Sequence, residues 1–303
     1  MLTFFTTAKP FKGHDGVIQR NALKSWKLLH PDAEVILFGD EEGAAEACRE
    51  LGLRHEPHVE QHESGMKYLN YMFDRAQKIA RHEVLCYSNC DIILLPDFRH
   101  AVEMVLSRKK FLLVAQRRDT DVTAPIDFSE AGWARKLREF SVANGILQHP
   151  NFIDFFVFSR GLYDEVPPMV VGRSYWDHWL VWKAWRQNAK VVDGTAFLVA
   201  VHQNHGYGYH PQGKQGTHDD ALALRNRDLA GKGSQLKTIL DSTLCITRHG
   251  KIRRTPIRRK LSGPLLMKMR QAIVEKTFNI RNFLGLRRKS LDRMLHRRTD
   301  FMD

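Results

Sequence analysis

The first residue in this chain placed to do chemistry is a carboxylate at the end of an apolar run. Tyr87-Ser88-Asn89-Cys90-Asp91-Ile92-Ile93-Leu94 sets Asp91 in a polar break between two strand-like runs. In open α/β sheets, ligands bind beyond the carboxyl ends of the strands. A carboxylate there can hold a divalent cation, and the cation can neutralise a diphosphate. Asp91 could equally cap a turn, and residue type alone leaves the two readings level. Further along, His202-Gln203-Asn204-His205 offers two imidazoles after a strand-like run. Neutral imidazole is a good ligand for transition metals. The same stretch, with His210 and His218, also fits a solvated glycine-rich loop, and such a loop could close over a ligand.

A second group lies between these two. Asp154 interrupts an apolar run at 153–158, where a bare charge is costly. It is expected to face a polar cavity or a partner such as Arg173. Trp176-Asp177 opens a helix-like run. Asp177 there reads either as a general base or as a helix cap, while Trp179 and Trp182 read as core residues at helical spacing. Arg117 and Arg118 have the fork geometry that suits phosphate, and Lys9 offers a point charge. All three could also be solvated charges at strand ends.

The elements that must position these groups alternate along the chain. Strand-like segments cover residues 2–7, 34–38, 54–59, 83–87, 91–95, 111–116 and 153–158, with strand again within 190–201. Helical spacing covers 17–29, 43–51, 66–80, 133–140 and 175–185, and residues 9–16 and 202–219 read as loops. From 117 to 150 the pattern weakens. Alternation of this kind predicts an α/β fold with helices packed on a mostly parallel sheet.

On these residues the chain resembles a known family. Asn89-x-Asp91 is similar to the D-x-D motif of GT-A glycosyltransferases, with Asn89 at its first position. The resemblance covers about residues 2–220. It extends to a group of bacterial and plant GT-A-like proteins at Arg117-Arg118-Asp119, Ile153-Asp154-Phe155-Phe156-Val157-Phe158, Val192-Asp193-Gly194-Thr195 and His202-Gln203-Asn204-His205. It includes Gly172-Arg173 followed by Trp176-Asp177-His178-Trp179-Leu180, with His178 standing where the group usually has Asn and Gly206 where it usually has Asp. The resemblance implies a Rossmann-like GT-A fold and transfer of a sugar from a nucleotide-diphosphate sugar to a hydroxyl acceptor. It implies a divalent cation, Mn2+ or Mg2+, at Asp91, His202 and His205. Thr7, Lys9, Asn89, Asp91, Arg117 and Arg118 would contact the donor, and Asp154, Arg173 and Trp176 the acceptor. Asp177 would take the proton of the attacking hydroxyl.

Charge divides the chain in two. The net charge is +13, yet residues 251–303 hold 16 Lys and Arg against 4 Asp and Glu, while residues 1–250 are nearly neutral. A transferase domain over 1–250 and a basic helical tail over 251–303 are therefore expected. Basic residues interleaved with apolar ones suit helices lying on an anionic membrane. Nucleic acid is the less favoured partner, because the tail carries no recognised nucleic-acid-binding motif. The beginning of the sequence lacks signal-peptide character and no apolar run is long enough to span a bilayer, so a cytoplasmic protein peripheral to the inner membrane face is expected. Cys48, Cys86, Cys90 and Cys245 form no C-x-x-C pair, which argues against a zinc site and for reduced thiols. Two alternatives stand beside glycosyl transfer. A nucleotidyltransferase normally has a Gly-rich basic loop after its first strand, and Thr6-Thr7-Ala8-Lys9-Pro10 is not one. A non-catalytic adaptor on a degenerate GT-A fold is consistent with Asn89 and Gly206.

Overall fold

Successive side chains of a strand point to opposite faces of its sheet. Here that alternation builds two cores from one ribbon. In the computed structural model, which describes residues 2–206 and 213–256, Phe4 belongs to one apolar layer and Phe5 to the other. The chain runs β1 (Thr3–Thr7), α1 (Gly13–Leu28), β2 (Glu34–Phe38), α2 (Ala44–Leu51), β3 (Arg54–Glu56), α3 (Leu69–Ile79) and β4 (Val84–Ser88). It continues through β5 (Ile92–Leu94), α4 (Pro96–Val105), β6 (Phe111–Val114), β7 (Arg117–Thr120), α5 (Trp133–Asn144), β8 (Ile146–Leu147) and β9 (Phe155–Ser159). Then come α6 (Trp176–Arg186), β10 (Lys190–Asp193), β11 (Ala200–Gln203), α7 (Gly213–Asp219), α8 (Ala221–Leu229), β12 (Leu244–Ile246) and β13 (Ile252–Arg254).

Nine of these strands form one sheet in the order β13-β12-β10-β6-β9-β4-β1-β2-β3. Most neighbours are parallel; β9 runs antiparallel to both β4 and β6, and β13 to β12. On one face Phe4 stacks between Trp26 of α1, at 5.1 Å, and Phe98 of α4, at 5.8 Å. On the other face Phe5, Tyr87 and Phe158 pack around Phe73 of α3, with Trp179 and Leu180 of α6 in the same layer. Covering both faces with helices explains why these strands read as continuous apolar runs. Close approach shapes the entry to α1: a Cβ at Gly16 would lie 2.7 Å from the Phe11 carbonyl.

A smaller sheet, β5-β11-β7-β8, stands beside the first. Its register decides the site. His202 pairs with Ile92 across the antiparallel β5 and with Asp119 across the parallel β7. In the large sheet, Ser88 pairs with Phe155, so the end of β4 meets the beginning of β9 and the Asn89 amide donates to the Asp154 carbonyl at 2.8 Å. Two strand ends that are 65 residues apart in sequence therefore place Asn89 and Asp154 side by side.

Several segments differ from the sequence expectation. Helix α1 begins at Gly13, four residues before the apolar spacing becomes regular. Arg117–Thr120 is a strand with no apolar signal, because its buried side chains are held by ion pairs. Gly213–Asp219, expected within a loop, is a helix. Asp154 lies just ahead of β9 rather than inside a strand. Strand β13 carries the sheet past Gly250, and the first compact unit ends at Thr255. The rest of the basic segment and His210 lie outside the described residues.

A buried amide pair joins α1 to both the smaller sheet and the Asp91 segment. Asn21 Nδ2 donates to Gln203 Oε1 at 3.0 Å and to the Ala124 carbonyl at 3.1 Å, and its Oδ1 accepts from the Ile126 amide at 2.9 Å. Gln203 Nε2 donates to the carbonyls of Ile18, at 2.8 Å, and Asp91, at 3.1 Å. Removing one partner leaves buried polar groups unpaired, at about 1–3 kcal/mol for each group. Asn21→Leu should therefore lower stability by roughly 2 kcal/mol or more. A urea midpoint unchanged from the wild type would contradict this reading.

Candidate active site

The carboxyl ends of β1 and β4, the amino end of β9, the start of α6 and the end of β11 converge on one cleft of about 440 Å³. Asp91 lines it. Asp91 Oδ2 is 3.1 Å from His205 Nε2 and 3.7 Å from His202 Nε2. Burial pushes the Asp91 carboxyl up, but the two facing imidazoles and Arg117 outweigh it and hold the group well below the usual carboxylate range. The hydrogen bond to Asp91 in turn raises the His205 ring above its ordinary value.

One carboxylate oxygen and one nitrogen from each ring lie within 4.8 Å of one another. Asp91 Oδ1 is buried with no hydrogen-bond partner among the described residues. An unsatisfied carboxylate oxygen beside two imidazoles fits a divalent cation, and a two-nitrogen, one-oxygen set favours a transition ion such as Mn2+ over Mg2+.

Behind this cluster stands a second one. Arg117 is only 7% exposed, and its Nη1 donates to both oxygens of Asp154 at 3.1 Å while its Nε donates to Asp119 Oδ1 at 2.8 Å. Asn89 Nδ2 also donates to Asp154 Oδ1, at 2.7 Å. Asp154 is therefore partnered by Arg117 and Asn89. Of the two expectations for Asp154, the polar cavity holds, since it lines the cleft, and the pairing with Arg173 does not: Arg173 Nε bonds Asp220, between α7 and α8, at 2.5 Å.

The remaining expected residues fall as follows. Thr7, at the end of β1, lines the cleft with its hydroxyl buried and without a partner among the described residues. Lys9 lines it too, 3.2 Å from Asp15, with its backbone clamped by both ends of the Gln19 amide. Trp176 lines it too, its ring packed against Tyr87 and Phe156. Asp177 is the second residue of α6 and faces the cleft, with Oδ1 buried and without a partner among the described residues. It is not the cap, since Tyr175 occupies that position. Arg118 does not line the cleft. It follows Arg117 in β7, so it points to the opposite face, where it donates to the Gly145 carbonyl at 3.2 Å. His218 is hydrogen-bonded to Ser174 and lies apart from the Asp91 cluster. Trp179 is buried in the core layer, and Trp182 packs partly buried against it.

Sequence reading passed over Lys67 and Gln19. Lys67 is buried in the cleft wall and ion-paired with Glu41, 26 positions away. Its place depends on Gly39, which has φ +105°, and where a Cβ would meet both side chains of the pair at 2.5 Å. No local pattern announces a pairing over that distance.

No protein-family model matches the sequence, and no curated protein matches it significantly. Solved structures similar to it include S. aureus TarS 1-349 in complex with UDP-GlcNAc, at 10% identity and TM-score 0.44, over 67% of this chain and 58% of that one. The mannosyltransferase PcManGT from Pyrobaculum calidifontis, in complex with GDP-Man and Mn2+, is similar at 12% identity and TM-score 0.47, over 78% and 65%. Glucosyl-3-phosphoglycerate synthase from Mycobacterium tuberculosis, in complex with Mg2+ and UDP, is similar at 13% identity and TM-score 0.41, over 68% and 72%. The chain thus spans about three fifths of the first of these proteins.

The Arg117–Asp154 pair yields a stability prediction. Breaking a buried ion pair by deleting one member strands the other charge, which typically costs 3–5 kcal/mol. Asp119 still pairs with Arg117, so Asp154→Ala should cost about 3 kcal/mol, at the low end of that range. Chemical unfolding measures it, and a loss under about 1 kcal/mol would show that Arg117 does not depend on Asp154.

Proposed function

We propose that the chain is a GT-A-type glycosyltransferase that moves a sugar from a nucleotide-diphosphate sugar to a hydroxyl acceptor. The observation that carries this reading is the Asp91–His202–His205 cluster at the strand ends of a cleft that also holds Thr7, Lys9 and Asp177. Asp91, His202 and His205 would hold the cation. When bound, it supplies positive charge that stabilises the leaving diphosphate. Thr7, at the end of β1, and Lys9, just beyond it, contact the nucleotide side of the donor, and Asn89 holds Asp154 next to it. Trp176, Arg173 and Asp154 shape the acceptor side. Asp177 accepts the proton of the attacking hydroxyl, and its place in the first turn of α6 aims it into the cleft.

A direct test separates binding from chemistry. Asp177→Asn keeps the shape and removes the base, and loss of a general base typically costs 10²–10⁴-fold in rate. Turnover of nucleotide-sugar donors should fall by about that factor in the variant, with donor affinity within about threefold of wild type. Unchanged turnover would show that Asp177 has no part in the chemistry.

The tail reading rests on sequence alone. Residues beyond the sheet would hold the enzyme on an anionic membrane at the cytoplasmic face, where lipid-linked acceptors are found, with about 1 kcal/mol from each Lys or Arg close to the surface. Cosedimentation of the full chain with anionic vesicles should exceed that with neutral ones and weaken as salt rises. A chain ending at Pro256 should lose it. Equal binding by both chains would remove the tail from the account.

A further inference from the structure

His202 lies between two carboxylates, and only one of them belongs to the cation cluster. Its Nε2 is 3.7 Å from Asp91 Oδ2, while its Nδ1 is 3.1 Å from Asp119 Oδ1, close enough for a charge-assisted contact although bent away from a straight hydrogen bond. The register that pairs His202 with Asp119 across β11 and β7 puts both side chains on one face of the smaller sheet. The ring is 5% exposed, so water has little access to either nitrogen.

A neutral imidazole carries one N–H, and whichever nitrogen lacks it is the metal ligand. The partner of the other nitrogen therefore selects the ligand atom. Asp119 accepts hydrogen bonds and, when ionised, cannot donate them, so the nitrogen facing it must carry the proton. Asp119 is itself braced at both oxygens: Arg117 Nε donates to Oδ1 at 2.8 Å and Gln148 Nε2 to Oδ2 at 2.8 Å. Arg117 is fixed in turn by Asp154 and lies over the Phe152 ring at 5.0 Å.

We propose that Asp119 is a positioning residue that holds His202 as the Nδ1–H tautomer and directs Nε2 at the cation. Arg117 serves as the brace that keeps Asp119 in place, and through Asp154 it ties the cation side of the cleft to the acceptor side. The inference rests on the proposed cation site, but its first consequence, the tautomer, exists without any metal. Asn in place of Asp119 would keep the shape but remove the charge: its N–H₂ must face Gln148, whose side-chain amide would have to turn over to accept it, and the contact to His202 would no longer be charge-assisted.

The test uses the full chain as wild type, Asp119→Asn, Asp119→Ala and the site control Asp91→Asn. Two-dimensional ¹⁵N–¹³C NMR of the metal-free protein at about pH 8, where an ordinary His is neutral, reads the tautomer, with the His202 signal assigned by its loss in His202→Gln. Electron paramagnetic resonance of free Mn2+ reads the affinity. The wild type should show the Nδ1–H form. Asp119→Ala should populate the Nε2–H form and bind Mn2+ about 10–100-fold more weakly, with Asp119→Asn losing about tenfold. A tautomer unchanged in both variants, or Mn2+ affinity within twofold of a binding wild type, would overturn the proposal. If the wild type binds no Mn2+, the cation reading fails while the tautomer still decides the role of Asp119. If Asp119→Ala does not fold by circular dichroism, Asp119→Asn carries both readouts.

Discussion

A carboxylate taken out of water must be met by positive charge or hydrogen-bond donors, and at Asp91 this constraint shapes the cleft. It sits between β4 and β5, where one sheet hands over to the other, and two imidazoles close on it from the end of β11. Its second oxygen finds no partner among the described residues. The protein thus places a carboxylate oxygen without a hydrogen-bond donor beside two imidazoles. That is the arrangement a site for a divalent cation requires.

The rest of the architecture follows from delivering groups to that point. β11 brings His202 and His205, and pairs with β5 on one side and β7 on the other. β7 brings Arg117 and Asp119 behind His202. The reversed strand β9 presents its amino end where parallel neighbours present their carboxyl ends, and so adds Asp154 to the same rim. A parallel strand in that place would carry residue 154 to the far edge of the sheet. The buried amides of Asn21 and Gln203 then lock α1 to the backbone of Asp91 itself. Charge neutralisation runs in a line, from Asp154 through Arg117 and Asp119 to His202 and Asp91, so the cleft behaves as one electrostatic unit.

Much of this was legible in the sequence, and the parts that were not have physical reasons. Doubly covered parallel strands are apolar on both faces, so β1, β2, β4 and β6 stood out as runs. Asp91 and His202 stood out because polar residues interrupt or end such runs. β7 was hidden because Arg-Arg-Asp-Thr has no apolar residue, and its burial is stabilised by partners elsewhere in the chain. Asp154 lines the cleft, as an acidic residue interrupting an apolar run suggested, but its ionic partner is Arg117 of the smaller sheet, a strand with no apolar signal, while Arg173 is held by Asp220. Arg118 shows how one position along a strand moves a side chain from the cleft to the opposite face. The Lys67–Glu41 pair depends on the conformation of a glycine and on two distant loops, and no local pattern encodes that meeting.

The central claim is that Asp91, His202 and His205 hold a cation beside the donor diphosphate. Crystals grown with Mn2+ and a nucleoside diphosphate, with diffraction recorded at a wavelength where manganese scatters anomalously, test it most directly. An anomalous peak coordinated by Asp91, His202 and His205 and by the diphosphate oxygens is expected. A peak at other residues, or a bound diphosphate with no manganese at Asp91, would contradict it.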